Sequence, residues 1–337
     1  MAAADAAVKR VLVIRLGALG DFFLSLGPFA AIRARHAADE VSLLTTAPFA
    51  ALARRAPWFD RVEVDARPSL LDVPGVLRLR RQLAGFDFVY DLQTSGRSAV
   101  YFTLAGRPAW SGIASGCSHP HANPRRDFMH TLERQREQLD MAGVEEFPPA
   151  DLSWLLRRPA VELPGPYVLL VPGAAPTRPR KRWPAERFAA LAALLAAGGL
   201  TPVVVGTAGE APLAASIRAA CPAAIDLTGQ TALADLPGLG ARAALAVGND
   251  TGPMHVAAAV GCRCVVLFSA DSDPALTAPR GPGGEWPVVV RVENLADLPV
   301  EDVVAAAAPL LREEGSKARG SAPGPRQGPR GPWTPSL

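Results

Sequence analysis

The chain is short of cysteine, of aromatic residues and of long apolar runs. Its four cysteines, Cys117, Cys221, Cys262 and Cys264, form no CxxC pair and are too sparse for a disulfide scaffold, so reduced thiols in a cytoplasmic protein are expected. Cys262-x-Cys264 straddles the start of an apolar run and reads as core packing rather than a metal site. The longest apolar run, Phe188 to Ala197, is about half of the roughly 20 residues a spanning helix needs, and Gly198-Gly199 closes it. The N-terminus MAAADAAVKR holds no apolar core ahead of a cleavage site, so no secretory leader is expected.

An excess of one charge is lacking too. The net +3 is misleading, because residues 315–337 contribute Lys317, Arg319, Arg326 and Arg330 without an acid and leave the rest of the chain at −1. No global basic field argues for a nucleic-acid partner. Residues 314–337, rich in Gly, Pro and Ser, are expected to be a disordered tail.

What is present is a globular composition, 49% hydrophobic and 20% charged, over 337 residues. That length exceeds what one core usually supports, so two domains are expected, 1–160 and 161–313. Strand-like runs alternate with helical stretches in both halves. In the first, Val11–Ile14, Val41–Leu44, Val62–Val64 at an edge, and Phe86–Leu92 are strands. Helices run from the Gly17–Asp21 turn to about His36, restarted or kinked at Gly27-Pro28, then over Leu70–Leu83 with a basic face, and over His130–Ala142. A proline-rich crossing, Phe147 to Pro166, leads to the second half. There Tyr167–Val171, Pro202–Val205, Ile225–Leu227, Leu245–Val247 and Cys264–Phe268 are strands, and Val300–Leu311 is the last helix. Such alternation calls for two parallel α/β sheets facing a cleft.

The chemistry is expected at the strand-to-helix turns. The first, Arg15-Leu16-Gly17-Ala18-Leu19-Gly20-Asp21, has GxxG rather than GxGxxG spacing, and the following strand ends in Thr45-Thr46 instead of a ribose-binding acid, against a nicotinamide or flavin site. Asp21 there is either a helix cap or a general base. Gln93-Thr94-Ser95-Gly96-Arg97 is a polar loop facing the same crevice. His119 and His121, with no acid near them in sequence, make a weak metal signal in a loop over Gly112–Asp127. Arg125-Arg126 beside them suits an anionic acceptor or plain solvation.

Three turns of the second half offer what a nucleoside diphosphate needs. Thr177, Arg178 and Lys181 supply a hydroxyl and cations, and Glu210 can accept from ribose hydroxyls. In Gly248-Asn249-Asp250-Thr251-Gly252-Pro253-Met254-His255, Asp250 or Thr251 can cap a helix that Pro253 enters and Gly252 leaves bare. The exposed amides and helix dipole form a seat for a phosphate, or simply a well-capped helix. Asp271-Ser272-Asp273 matches the DxD pattern of metal-dependent transferases, or is an ordinary acidic loop.

Taken together and in order, Arg15-x-x-x-Leu19-Gly20-Asp21, Pro172-Gly173 with Lys181-Arg182-Trp183-Pro184, and Asn249 to His255 resemble glycosyltransferase family 9, the ADP-heptose:lipopolysaccharide heptosyltransferases. The resemblance implies a GT-B fold of two Rossmann-like domains, the first holding an acceptor and the second a nucleotide sugar, with the final helix crossing back to the first. It implies Asp21 as catalytic base and Lys181 at the donor phosphates. Thr177, Glu210, Asp250, Thr251, Gly252 and His255 fall on the donor side, and Arg15, Gly20, Gln93 and Arg97 on the acceptor side. The reaction implied is inverting and metal-independent, from an ADP-sugar co-substrate with no cofactor to a lipid A-core glycolipid, in the cytoplasm with peripheral contact to the inner membrane. An epimerase on the same scaffold, or a non-catalytic sugar-nucleotide binder, is the alternative. The chain departs from the family at Phe268-Ser269-Ala270-Asp271, where relatives have Phe-Gly followed by Pro/Ala-Thr.

Overall fold

Val11 to Ile14 are completely buried, as a central parallel strand covered on both faces must be. In the computed structural model, which describes residues 7–69, 71–156 and 161–317, they form the middle of the first of two sheets. Its strands are β1 (Arg10–Ile14), β2 (Glu40–Thr45), β3 (Arg61–Val64), β4 (Phe88–Asp91), β5 (Ala109–Gly112) and β6 (His119–Pro120), in the order β3-β2-β1-β4-β5-β6. The second comprises β7 (Tyr167–Val171), β8 (Thr201–Val204), β9 (Ile225–Asp226), β10 (Leu245–Asn249), β11 (Cys264–Phe268) and β12 (Val288–Arg291), in the order β9-β8-β7-β10-β11-β12. Every pairing is parallel. Both sheets therefore have the doubly wound strand order, with switch points between β1 and β4 and between β7 and β10, the places where such sheets hold ligands. This is the expected pair of Rossmann-like domains.

The helices of the first half are α1 (Leu19–Leu24), α2 (Leu26–Arg35), α3 (Ala47–Ala53), α4 (Val73–Leu83), α5 (Gly96–Leu104) and α6 (Thr131–Asp140). Those of the second are α7 (Ala185–Ala197), α8 (Ala211–Ala220), α9 (Leu236–Arg242), α10 (Gly252–Ala259), α11 (Pro274–Thr277) and α12 (Val300–Lys317). The first long helix restarts at Ser25, which places Gly27-Pro28 in the opening turn of α2, where proline is tolerated. Sequence reading misses β5, β6 and β12, all of four residues or fewer.

Helix α10 ties the halves together. All residues from Met254 to Ala259 are buried. Val256 and Ala259 pack with Phe22, Phe23 and Leu26 in the first domain's core, while Met254, Ala257 and Ala258 pack in the second's. A helix buried on all sides, apolar apart from His255, is what a position between two domains requires. A second tie lies nearby, where His130 at the N-cap of α6 donates from Nε2 to the carbonyl of Ala278 at 2.9 Å and Arg280 reaches Glu133 at 2.9 Å. Among the described residues the final helix packs in its own domain, on α7 and against β10 to β12, rather than crossing back to the first. It continues past Leu311 to Lys317, into the stretch expected to be tail, and 318–337 lie outside the described residues.

Candidate active site

The first switch point carries Asp21 at the third position of α1. Its Oδ2 accepts the Ala18 N–H at 3.3 Å and its Oδ1 meets the Arg15 guanidinium at 3.2 Å, so the carboxylate both caps its helix and stays 39% exposed at the cleft. Arg15 is buried, and desolvation holds its pKa below the ordinary arginine value. It is fixed by a hydrogen bond to the Leu92 carbonyl. Gln93 joins the same turn by accepting the Leu16 N–H through Oε1 at 2.8 Å. Asp91 lies below it, fully buried, accepting the N–H groups of Gln93 and Thr94, and burial pushes its pKa up to about 6. Arg97 points elsewhere: it is exposed and bonds the Pro68 carbonyl and Tyr101 hydroxyl.

Across the cleft, Lys181 Nζ stands 2.5 Å from Asp250 Oδ2, both side chains nearly buried. Ser272 donates to the same oxygen at 2.8 Å. Asp250 thus does not cap α10, and neither does Thr251, its N-cap residue, whose side chain makes no capping bond. The first amides of α10 are left without a side-chain cap, the arrangement that favours an anion. Gly252 itself abuts the first domain, since a Cβ there would come within 2.7 Å of Leu19.

Glu210 accepts from the backbone and hydroxyl of Thr207 through Oε2 at 2.6 and 3.0 Å. Its other oxygen lies over Gly173, where a Cβ would stand 1.9 Å away, so a side chain there would displace the carboxylate. Thr177 is exposed in the loop between β7 and Lys181. The DxD acids diverge: Asp271 pairs with Arg180 at 3.2 Å, and Asp273 caps α11 through the Ala275 N–H. His121 does have an acid partner, Glu137 of α6, at 2.7 Å, where Asn123 binds the same carboxylate. The pair is a structural clasp brought together by folding.

His255 joins the two sides. It is buried, its ring lies against Gly20, and it senses the charges of Asp250, Asp21, His130 and Lys181. Desolvation holds its pKa down at about 4. The structure therefore gathers Arg15, Gly20 and Asp21 in the first domain, and Lys181, Asp250 and Ser272 in the second, with His255 of α10 reaching between them. Sequence reading missed two participants. Ser272 passed only as the middle of the DxD pattern. Arg134 of α6, half-buried and in the field of Asp21 and Arg126, looked like one charge among many on a polar helix.

A model of glycosyltransferase family 9 (heptosyltransferase) matches residues 76–296. The chain belongs to this family. The match takes in Lys181, Glu210 and Asp250, while Arg15, Gly20 and Asp21 lie ahead of it. The chain is similar to lipooligosaccharide heptosyltransferase 2 of Haemophilus influenzae, 35% identical over 119 residues, a stretch that spans 34% of each protein. The fold is shared with family 9 structures. A member from Veillonella parvula superposes with a TM-score of 0.75 at 20% identity, over 90% of this chain and 97% of that one. Escherichia coli heptosyltransferase WaaC with ADP superposes with a TM-score of 0.72 at 22% identity, over 89% and 99%. A GT-B architecture and membership of a glycosyltransferase family are thereby established.

Proposed function

We propose that the protein is an inverting transferase moving heptose, or a related sugar, from an ADP-type donor to a lipopolysaccharide core acceptor at the cytoplasmic face of the inner membrane. The observation that carries this reading is the opposition of a partly exposed Asp21, oriented by the buried Arg15, to the Lys181–Asp250 pair at the uncapped start of α10. Asp21 takes the proton of the acceptor hydroxyl. The freed oxygen attacks the anomeric carbon from the face opposite the diphosphate, and the bond to the diphosphate oxygen breaks with its electron pair leaving on ADP. Lys181 and the amides of Thr251 and Gly252 meet the charge that develops there. The reaction written this way asks for no cofactor. Glu210 is the acceptor for the donor's ribose hydroxyls, and Thr177 stands on the route of the phosphates.

Exchanging Asp21 for Ala or Asn tests the assignment. Transfer is expected to fall by at least about a hundredfold, the usual contribution of a general base, with ADP binding retained. Turnover at the parental rate in both variants would remove Asp21 from the role. Incubation with ADP-, GDP- and UDP-sugars, with and without lipid A-core extract, separates transfer from epimerisation and from binding alone.

A further inference from the structure

We infer that Arg180 is a second cation for the donor's diphosphate, held by Asp271 and Glu293 until the anion arrives and takes their place. This contact rests on the donor reading above and adds a residue to it. Two loops of the second domain are joined twice. The inner link runs from Lys181 to Asp250 Oδ2 at 2.5 Å, and the Ser272 hydroxyl reaches the same oxygen at 2.8 Å. The outer link runs from Arg180 Nε to Asp271 Oδ1 at 3.2 Å. Arg180 is the chain neighbour of Lys181, and Asp271 of Ser272, so the two links are successive rungs. Their solvent access differs. The side chains of Lys181 and Asp250 are 11% and 7% exposed, those of Arg180 and Asp271 52% and 20%. The outer rung thus lies on the solvent side of the inner, where an anion bound for Lys181 passes.

Local structure produces this order. Arg180 and Lys181 share the single 3-10 turn Pro179–Lys181, in which successive side chains point about 120° apart, so burying Lys181 turns Arg180 outward. On the other loop the Ala270 N–H donates to the Glu293 carbonyl at 3.2 Å, and the Asp271 N–H donates to Ser269 Oγ at 3.3 Å. These bonds bring the two acids to one place, where Arg180 Nη1 also meets Glu293 at 3.3 Å. Asp271 belongs to the stretch in which the chain departs from the family 9 pattern, so membership of the family does not account for the outer rung.

Charge makes the rung exchangeable. Arg180 stands between two carboxylates, and Arg291 lies 3.7 Å from a third, Asp273. Two cations against three acids leave this rim at −1, a sign that opposes an anion on its way to Lys181. Ion pairs this exposed are weak and are easily given up. A diphosphate offers the guanidinium two parallel charge-assisted hydrogen bonds and more charge than either carboxylate. The exchange returns Asp271 and Glu293 to solvent. It adds Arg180 to Lys181 and the first amides of α10 around the leaving group.

The test is calorimetric titration of the full chain with ADP. Arg180→Gln is expected to weaken binding by about tenfold, the scale of one hydrogen bond between charged groups, and Arg180→Lys by less. Asp271→Asn is expected to act in the opposite direction and tighten ADP by about threefold, because it removes the competitor for Arg180. In an Arg180→Gln background Asp271→Asn should gain nothing. All four proteins should keep the wild-type circular dichroism, since the exchanged side chains lie at the surface. The inference is overturned if Arg180→Gln binds ADP as the wild type does. It is overturned equally if Asp271→Asn weakens ADP, which would make the rung a structural brace. An equal gain from Asp271→Asn with and without Arg180 would also overturn it, leaving only the field of one carboxylate. A wild type that binds no ADP would instead remove the donor reading and the inference with it. Wild-type binding with any of the three contrary results defeats the inference alone.

Discussion

The ring of His255 lies against Gly20, so that a methyl group added there would stand 2.7 Å from Cδ2 and Nε2. One residue belongs to the second domain and the other precedes Asp21 in the first. A collision at this point cannot be absorbed by a flexible chain end, because the imidazole is buried within α10. Gly20→Ala is expected to wedge α1 from α10 and to lower transfer by one to two orders of magnitude, since misplacing a catalytic group by about 1 Å costs that much. His255→Ala should restore part of the loss by vacating the space. Unchanged kinetics in Gly20→Ala would mean that the working enzyme does not pass through this closed contact.

The pH dependence of stability should carry two opposed signatures. His255 titrates at about 4 in the folded chain against an ordinary value of 6.5, because burial disfavours the imidazolium. Between those values the unfolded chain binds the extra proton, so this residue makes stability fall as pH falls from about 6.5 to 4, by up to about 3 kcal/mol. Asp91, raised to about 6 from 3.8 by burial, acts the other way: the folded chain binds the extra proton, and stability is lost as pH rises through that window. These two contributions therefore largely offset each other between about pH 4 and 6, while His36 and His130, also lowered by burial, still make stability fall toward low pH. In His255→Gln, denaturant midpoints should rise less with pH, or fall more, than in the wild type across this window, whatever constant offset the substitution adds. A parallel pair of profiles would show that the imidazole is not held neutral.

Ser272 acts on the donor side through a shared carboxylate. Asp250 Oδ2 takes both Lys181 at 2.5 Å and the Ser272 hydroxyl at 2.8 Å, so the serine carries part of the negative charge that Lys181 would otherwise neutralise alone. Without that hydroxyl Lys181 is held more tightly and is less available to a diphosphate. Ser272→Ala should weaken ADP binding by about tenfold, the scale of one hydrogen bond to a charged group, and Ser272→Thr should restore it. The same change in an Asp250→Asn background should do nothing. Calorimetric titration with ADP reads the wild type and all four variants, and additive losses in the double variant would disprove the linkage.

The layers of this fold were legible because a parallel strand buried on both faces must be apolar throughout. Val11–Ile14, Tyr167–Val171 and Cys264–Phe268 announce themselves in that way. Strands such as Ala109–Gly112 and His119–Pro120, short and half-polar, owe their conformation to a neighbouring strand and leave no local signal. The site followed the same division. Asp21, Lys181, Glu210 and Asp250 sit in turns whose sequence shows their place at a sheet edge. Their partners are matters of long-range contact: Ser272 reaches Asp250 across 22 positions, and Glu137 reaches His121 across 16. Gly252 illustrates the limit. A bare helix start was the right inference from glycine, but the space it leaves is filled by Leu19.

Arg134 offers the clearest separation of acceptor binding from chemistry. It projects from α6 into the field of Asp21, a repelling Arg126 lies close by, and desolvation holds its pKa below the ordinary arginine value. Among the described residues it forms no ion pair, and Asp21 and Asp127 offset its charge only in part against burial and Arg126. A carboxylate or phosphate on the incoming glycan supplies what is missing, and a guanidinium binds such groups through two parallel hydrogen bonds. The contact is made away from the anomeric carbon, so it should be equal in ground and transition states. Arg134→Gln is therefore expected to raise the KM for acceptor by about tenfold or more, with kcat and ADP affinity little changed. Arg134→Lys should recover the charge but not the paired geometry, and should fall between the two. A fall in kcat at constant KM would instead place Arg134 beside the reacting atoms, as the residue that orients Asp21.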